Sequence, residues 1–480
     1  GLSLPVYLLP LTALLLAPLS VRAQSFSCST QVPEIAAVRS KGLAEWVAPV
    51  VIRCTGTKPA GGIVGSIAIS LNVPTASRAL GSSGTATEAL LLVDNPAPGA
   101  QIGRSADSIV PNANVIQGFT NQGQTIWQTL EIAPAGAAGL FTREFRIVNI
   151  RANVSQLQLL APVTMNITML TNPFVPLTGA QVNVGTVVGT AGMSARTLDD
   201  ILDYSAVIDG CVGNKSTVDE FTLRDFNIRF SEGGSGEFRR RNVATTAAAA
   251  SAVANQNDPL TNYGTETGFY NNTLTATNAM NQAGLATNGS RLMARFTGVP
   301  SGVSLYVTVL PVTEGTSAPS IVARLTAADT NGAGQFSPVP PTAGGYAQIP
   351  VVNGVASAVW EVLESDVQSL EYVSFGVVVS VPASTPTFGK ISLQGGIGPI
   401  VPANPAGAPF TAPLFSSLPA GREVVEIRTC ATLLSVASPC PLNPASVGQE
   451  YRLVVAASGG TPPYGWSLAA GALPQGIQLA

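Results

Sequence analysis

Along most of this chain, apolar and polar residues alternate in short runs, and helical spacing is almost absent. Arg143, Phe145, Ile147 and Asn149 fall on one face of an extended segment; Glu144, Arg146, Val148 and Ile150 fall on the other. That period of two is what a half-buried strand requires. The same pattern predicts strands over Trp46–Cys54, Ser66–Leu71, Glu88–Val93, Thr125–Glu131, Arg143–Ile150, Val163–Met169 and Gln181–Val188. About seven strands, separated by turn residues, predict a β-sandwich over residues 24–188.

Residues 189–210 break the pattern and form a junction. Thr197-Leu198-Asp199-Asp200 has the form of a capping box, and Leu198, Ile201 and Leu202 share a helical face. One short helix is expected there, ending before Gly210.

Alternation resumes over residues 211–430, which predict a second β-sandwich. Phe221 and Leu223 share one parity and Phe226, Ile228 and Phe230 the other, so a β-bulge is expected at Arg224-Asp225. Residues 242–262 are an Ala- and Asn-rich insertion. Strands are predicted over Arg291–Phe296, Val303–Leu310, Ile321–Thr326, Tyr346–Val352, Ala356–Leu363, Tyr372–Val381, Lys390–Gln394 and Glu423–Thr429. The Pro-, Ala- and Gly-rich run Val401–Pro419 between the last two is not expected to be regular.

A linker over 431–441 leads to residues 442–480, where three turn signatures follow in order. Gly448-Gln449-Glu450-Tyr451 enters a strand, Ser458-Gly459-Gly460-Thr461-Pro462-Pro463-Tyr464 turns into Trp466-Ser467, and Leu473-Pro474-Gln475-Gly476-Ile477 turns again. This tail resembles the immunoglobulin-like domain repeated in many bacterial surface and secreted proteins. Strands are expected at Tyr451–Ala456 and Gly465–Leu468, with a third starting at Ile477. Since a sandwich needs about seven strands, the module is expected to be incomplete, with Leu453, Val455, Tyr464 and Trp466 partly exposed.

The body is also similar, in short stretches, to uncharacterised secreted proteins of soil bacteria. The stretches are Val38-Arg39-Ser40-Lys41-Gly42-Leu43 with Cys54-Thr55-Gly56, Thr87 to Asp94, Phe226 to Gly233, Thr265 to Tyr270, and Arg295 to Val307. That group implies secretion and β structure and carries no activity.

Composition sharpens the compartment. Hydrophobic residues make up 46% of the 480-residue chain and charged residues only 11%, against roughly 25% charged in an average domain. Leu2 to Leu19 is mostly apolar, and Val21-Arg22-Ala23 supplies small residues before a cleavage point, so residues 1–23 are expected to be a signal peptide. An uncleaved membrane anchor is the alternative. No later segment is apolar for the roughly 18 residues that a membrane span needs. A secreted or cell-surface bacterial protein is expected.

Export permits disulfides. Cys28 and Cys54 flank the first strand region and are expected to pair, closing a loop worth roughly 3 kcal/mol in the chain-entropy picture. Cys211 is expected to pair with Cys430, leaving Cys440 to a partner elsewhere.

The chain has no histidine. That removes Ser-His-Asp and Cys-His catalysis and His-ligated metals. Paired carboxylates are the remaining route to hydrolysis. The candidates are Asp199, Asp200, Asp203 and Asp209 at the junction, then Asp219, Glu220 and Asp225, and then Glu361, Glu364 and Asp366. Solvated surface positions are the expectation for all of them. The junction acids double as calcium candidates, because calcium takes oxygen ligands; no other cofactor is implied. With 24 basic and 27 acidic residues, nothing attracts nucleic acid.

Arg239-Arg240-Arg241 is a candidate patch for acidic polysaccharide, against the plainer reading of a solvated hairpin end. Trp46, Trp127 and Trp360 are candidate sugar platforms; Trp360, flanked by Ala358, Val359 and Val362, is expected in the core, and Trp127, set between Gln124 and Gln128, is the best candidate for an exposed one. The reading that follows is a non-enzymatic surface, adhesion or matrix protein. The alternative is a polysaccharide-binding or polysaccharide-active protein whose catalytic part lies beyond Ala480. Extracellular polysaccharide and another surface protein are the candidate partners.

Overall fold

The computed structural model describes Gly1 and residues 25–80, 85–106, 108–189, 192–196, 205–209, 225–240, 266, 269, 289–313, 321–328, 332, 336–381, 389–398, 415–417, 424–428 and 435–436, with parts of 438–478. The expected signal peptide, the 242–262 insertion, Cys211, Cys430 and Cys440 lie outside the described residues. Among those described, all regular structure is β strand, apart from two single 3-10 turns at Pro98–Ala100 and Ala343–Gly345. No helix among them is long and apolar enough to cross a membrane.

The first core is one 13-stranded sheet folded over on itself. Its path starts at Leu177–Thr178 and Ser27–Gln31, then runs through Val50–Lys58, Gly139–Val148, Ala86–Val93 and Val115–Asn121. It continues through Gln124–Ala133, Ile63–Leu71, Pro162–Asn172 and Gln181–Val188 to Ala36–Arg39. The hairpin at Gln122-Gly123, with both residues at positive φ, carries the chain from one half to the other.

The far ends of the sheet are latched. Leu177–Thr178 lies in the chain between Pro162–Asn172 and Gln181–Val188, yet it pairs in parallel with Cys28–Ser29 at the opposite end of the path. Cys28 N–H donates to Pro176 O at 2.9 Å, and Val175 is buried in the core beneath. Side chains from both halves form one apolar cluster, including Ile52, Ile67, Phe145 and Met165.

Cys28 and Cys54 face each other directly in register on neighbouring antiparallel strands and form a disulfide. Gly56 follows at φ 131°, where a Cβ would collide with the Ser25 carbonyl and the Phe26 backbone. This is the physical requirement behind Cys54-Thr55-Gly56.

The second core differs. Two separate sheets face each other. One orders Gly192–Arg196, Phe226–Ser231, Tyr372–Ser380, Ser304–Thr308 and Tyr346–Ile349. The other orders Ser205–Asp209, Val424–Arg428, Gly389–Gly398, Arg291–Thr297, Val355–Glu364 and Val322–Leu325, with Ser416–Ser417 beside Gly389–Gly398. Between them Trp360 stacks on Phe375 at 4.1 Å between centroids, and Phe230 meets both rings edge-on. Trp360 Nε1 donates to Thr308 O at 2.9 Å, so the expected burial of Trp360 is found with its one polar atom satisfied.

Two expectations are corrected. The junction is strand on both described sides: Gly192–Arg196 pairs with Phe226–Ser231, and Ser205–Asp209 runs parallel to Val424–Arg428. No helix is seen in the described part of the junction, where pairing with a sheet edge outcompetes one isolated turn; residues 197–204, which carry the capping box and the expected helical face, lie outside the described residues. In the tail, the described residues of 451–456 and 465–468 are not strands. Among the described residues, the one ladder there joins Ser435–Val436 to Ala457–Ser458. Trp466 is 38% exposed and Val454 87% exposed. Alternation alone makes no strand without a neighbour to pair with.

Candidate functional site

The scarce charges of this chain converge where the two cores meet. The Ala36–Arg39 strand delivers Arg39 at its end, and a turn closed by Gly42 N–H to Arg39 O at 3.0 Å brings the chain back to Glu45. Glu45 then accepts from both the backbone N–H of Arg39, at 3.1 Å, and its Nε, at 2.8 Å. Gly42 makes room for this: a Cβ there would sit 2.3 Å from Glu45 Cγ.

Beyond Glu45, Arg39 Nη1 reaches across to the second half of the chain. It donates to Glu237 O at 3.0 Å, Ser290 Oγ at 3.0 Å and Glu266 Oε1 at 3.1 Å. A second arginine does the same from the other side. Arg151 Nε donates to Glu88 Oε1 at 3.0 Å, and its Nη2 donates to the Glu266 carbonyl. Arg78 N–H also donates to Glu88 Oε1, at 2.9 Å. Arg239 donates through Nη2 to Ala37 O at 2.8 Å and lies over the ring of Trp46. Ser290 Oγ bonds the Glu266 carboxylate and accepts from Arg239 N–H at 3.0 Å.

All of these side chains are buried. Glu266 experiences two opposed effects: burial raises its pKa, but Arg39, Arg239, Arg151 and the Ser290 hydroxyl outweigh it and bring the carboxyl to about 2. Burial likewise works against the Arg39 guanidinium, and Glu266 and Glu45 more than reverse it. Glu237 lacks such a partner. Desolvation pushes it up to about 8, its Oε2 accepts from Gly233 N–H at 2.9 Å, and its Oε1 has no partner among the described residues. Neighbouring Glu232 is raised to about 7, again mainly by burial.

Phe269 completes the contact. It seats on Leu90, Leu92, Val115 and Val148, on the outer face of the first sheet. Asn149 donates to Phe269 O at 3.0 Å and accepts from Phe269 N–H at 3.1 Å. Three of the short stretches singled out in the sequence thus meet here, around Arg39, Glu88 and Glu266 with Phe269.

This arrangement holds rather than reacts. Each of Glu45, Glu88 and Glu266 is an acceptor for arginine, and Glu266 at pKa about 2 cannot take a proton near neutrality. Breaking one of these buried pairs leaves an uncompensated charge, whereas the intact pairs are weak evidence of net stability.

The predicted site residues fall elsewhere or change role. Trp127 is fully buried, with Nε1 donating to Ile116 O at 3.1 Å, so it is not a sugar platform. Its neighbours Gln124 and Gln128 misled because they point outward from the same strand. Arg239 is neither a polysaccharide contact nor solvated; Arg240 is exposed, and Arg241 lies outside the described residues. Glu361 is not a solvated acid but pairs with Arg291 at 3.3 Å, both fully buried. Glu364 is exposed, and Asp366 accepts from Gln368 N–H and Ser369 Oγ within its own turn. Asp225 accepts from Val379 N–H at 2.7 Å. Asp199, Asp200, Asp203, Asp219 and Glu220 lie outside the described residues, and Asp209 sits on the Ser205–Asp209 strand. No group of three potential metal ligands occurs among the described residues.

No protein-family model and no curated protein matches the chain. Among solved structures, it is similar to the C-terminal domain of the AgI/II polypeptide BspA of Streptococcus agalactiae, at 8% identity and TM-score 0.26, covering 77% of this chain and 95% of that one. It is similar to the CupB6 tip adhesin of Pseudomonas aeruginosa at 10% identity and TM-score 0.15, covering 84% and 98%. The collagen-binding domain of the Erysipelothrix rhusiopathiae surface protein RspB matches at 7% identity and TM-score 0.16, covering 84% and 94%. Likenesses of this size carry no inference about this chain.

Proposed function

We propose that this is a non-enzymatic extracellular protein of the bacterial surface, serving adhesion or matrix structure through two β-sandwich bodies held in one fixed arrangement. The observation that carries this reading is the joint. The buried Glu45, Glu88, Glu266 and Glu361 are each engaged by an arginine, and Glu266 ties Arg39 and Arg151 of the first core to the second half of the chain. A disulfide on the first sheet suits an oxidising compartment. The low charge and the apolar first 23 residues point the same way.

The test is a paired assay on the full chain. Immobilised protein is offered polysaccharides and matrix proteins, and the same preparation is incubated with polysaccharide, ester and peptide substrates. Saturable retention without turnover supports the reading. Turnover that disappears in Asp200→Ala or Glu364→Ala overturns it.

A further inference from the structure

We infer that the cleft of the first core lined by residues from Asp94 to Arg104 and from Ile109 to Asn114 binds an uncharged, polyhydroxylated ligand, a short stretch of neutral glycan. The cleft is lined by residues of the Gln124–Ala133 and Gly139–Val148 strands, which are not paired with each other, and its volume is about 500 Å³. That falls within the roughly 300–1,000 Å³ of small-molecule sites.

Its shape is preformed. The Gln124–Ala133 strand bulges between Trp127 and Leu130, with Thr129 at φ 55°. Arg104 ties the loop to that bulge, donating to Gln128 O at 2.6 Å and to Ser108 O within the loop at 3.0 Å. Asn114 braces the loop from inside, accepting from Ile102 N–H at 2.7 Å and donating to Ala100 O at 2.8 Å. Little ordering would be left for a ligand to impose.

Its chemistry selects the ligand class. Arg143 stands in the wall between two acids, with Nε 3.3 Å from Asp94 Oδ2 and Nη1 3.4 Å from Glu131 Oε1. Asp94 and Glu131 side chains remain 52% and 60% exposed, while Arg143 is 15% exposed. The seat for a ligand cation between the two carboxylates is therefore already filled. An anion finds Arg143 bracketed by acids and Arg104 bonded to backbone carbonyls. With Arg104 and Arg143 against Asp94 and Glu131, the cleft is electrically balanced. What it offers is charged acceptors with free lone pairs above buried apolar residues, Leu130 and Phe145. Hydroxyl groups donate strongly to carboxylates without carrying charge. The C–H faces of a sugar ring suit an apolar floor.

This goes beyond the surface-protein reading, which does not depend on it. The test is calorimetric titration of the full chain with neutral tetrasaccharides of glucan, mannan and galactan type, and with tetragalacturonate as the charged control. At least one neutral tetrasaccharide should bind, with little change in affinity between about 50 and 500 mM salt, because no net charge is involved. Asp94→Asn with Glu131→Gln should weaken that binding about tenfold, the loss of about one charge-assisted hydrogen bond. The double variant should still unfold cooperatively, with a midpoint well above the titration temperature, which separates lost binding from lost folding. Binding of tetragalacturonate alone, no binding of any neutral tetrasaccharide, or full-strength binding by the double variant overturns the inference. None of these outcomes touches the turnover assay that tests the surface reading.

Discussion

The two cores solve the same problem by different means. In the first, backbone hydrogen bonds run from one half to the other through the hairpin at Gln122-Gly123, and the Leu177–Thr178 latch joins the far ends. In the second, the two facing sheets share no strand pairing among the described residues, and apart from Leu325 N–H to Val309 O at 2.9 Å, side chains carry the contact. Where the backbone is continuous, a core residue has only to fill space. Where it is not, the aromatic trio of Phe230, Trp360 and Phe375 holds the faces together. Between the cores lies a third solution, buried charge, which is costly to desolvate but tolerates only one geometry.

The largest effect expected from this comparison is at Trp360. Trp360→Ala removes the stack on Phe375 and orphans Thr308 O, and should cost about 5 kcal/mol, the top of the range for a buried aromatic. Trp127→Ala in the latched core should cost about 3 kcal/mol, at the lower end of that range. Denaturant unfolding followed by near-ultraviolet circular dichroism reads both. Equal losses would break the comparison, because they would mean that backbone continuity does not spare the first core.

Next comes the joint. Glu266→Gln leaves Arg39 and Arg151 without their shared carboxylate and should cost about 3 kcal/mol. The sharper outcome is cooperativity: the variant should unfold in two separated transitions wherever the native chain unfolds in one. A single unchanged transition would show that the cores are coupled by something other than this network.

Much of the strand pattern was legible in the sequence, and little of the joint was. Gln181–Val188 is observed with the predicted bounds, and the predicted Tyr372–Val381 ends one residue earlier, at Ser380; both are rich in β-branched residues. Ser27–Gln31 and Ala36–Arg39 escaped notice, being short and edge-like, and Val115–Asn121 because Gly118 and polar residues interrupt it. Gly118 is there because Trp127 lies against it: a Cβ would stand 3.1 Å from the indole nitrogen. The joint draws Arg39, Glu88, Arg151, Arg239 and Glu266 from segments far apart in the chain, and no local spacing announces that they meet. One signal was present. Glu88 precedes Ala89-Leu90-Leu91-Leu92-Val93 in a strand buried on both faces, and a lone acid in such a run must find a buried partner.

The pH dependence separates the two kinds of glutamate at the joint. Glu237 and Glu232 have folded pKa values raised to about 8 and 7, chiefly by burial, so the folded state holds protons that the unfolded chain releases. Their favourable contribution is complete below the unfolded value of 4.5 and is lost as pH rises through 7 to 8. Glu266 is the reverse case: lowered to about 2, it stabilises above 4.5, and that stability is lost as pH falls through 2. The groups facing Glu237 are Arg39, which favours ionisation, Glu232 and Glu45, which oppose it, and the Gly233 N–H. Glu232 faces the N–H groups of Phe238 and Glu371 and the Glu371 carboxylate. Stability should therefore peak in mildly acidic solution, near pH 5, and decline toward pH 8.5. Glu237→Gln should flatten the alkaline limb and leave the acid limb in place, because a neutral amide fills the same space without a proton to lose. Thermal unfolding from pH 3 to 9 measures both limbs. An alkaline decline that persists undiminished in Glu237→Gln would assign it to groups outside the joint.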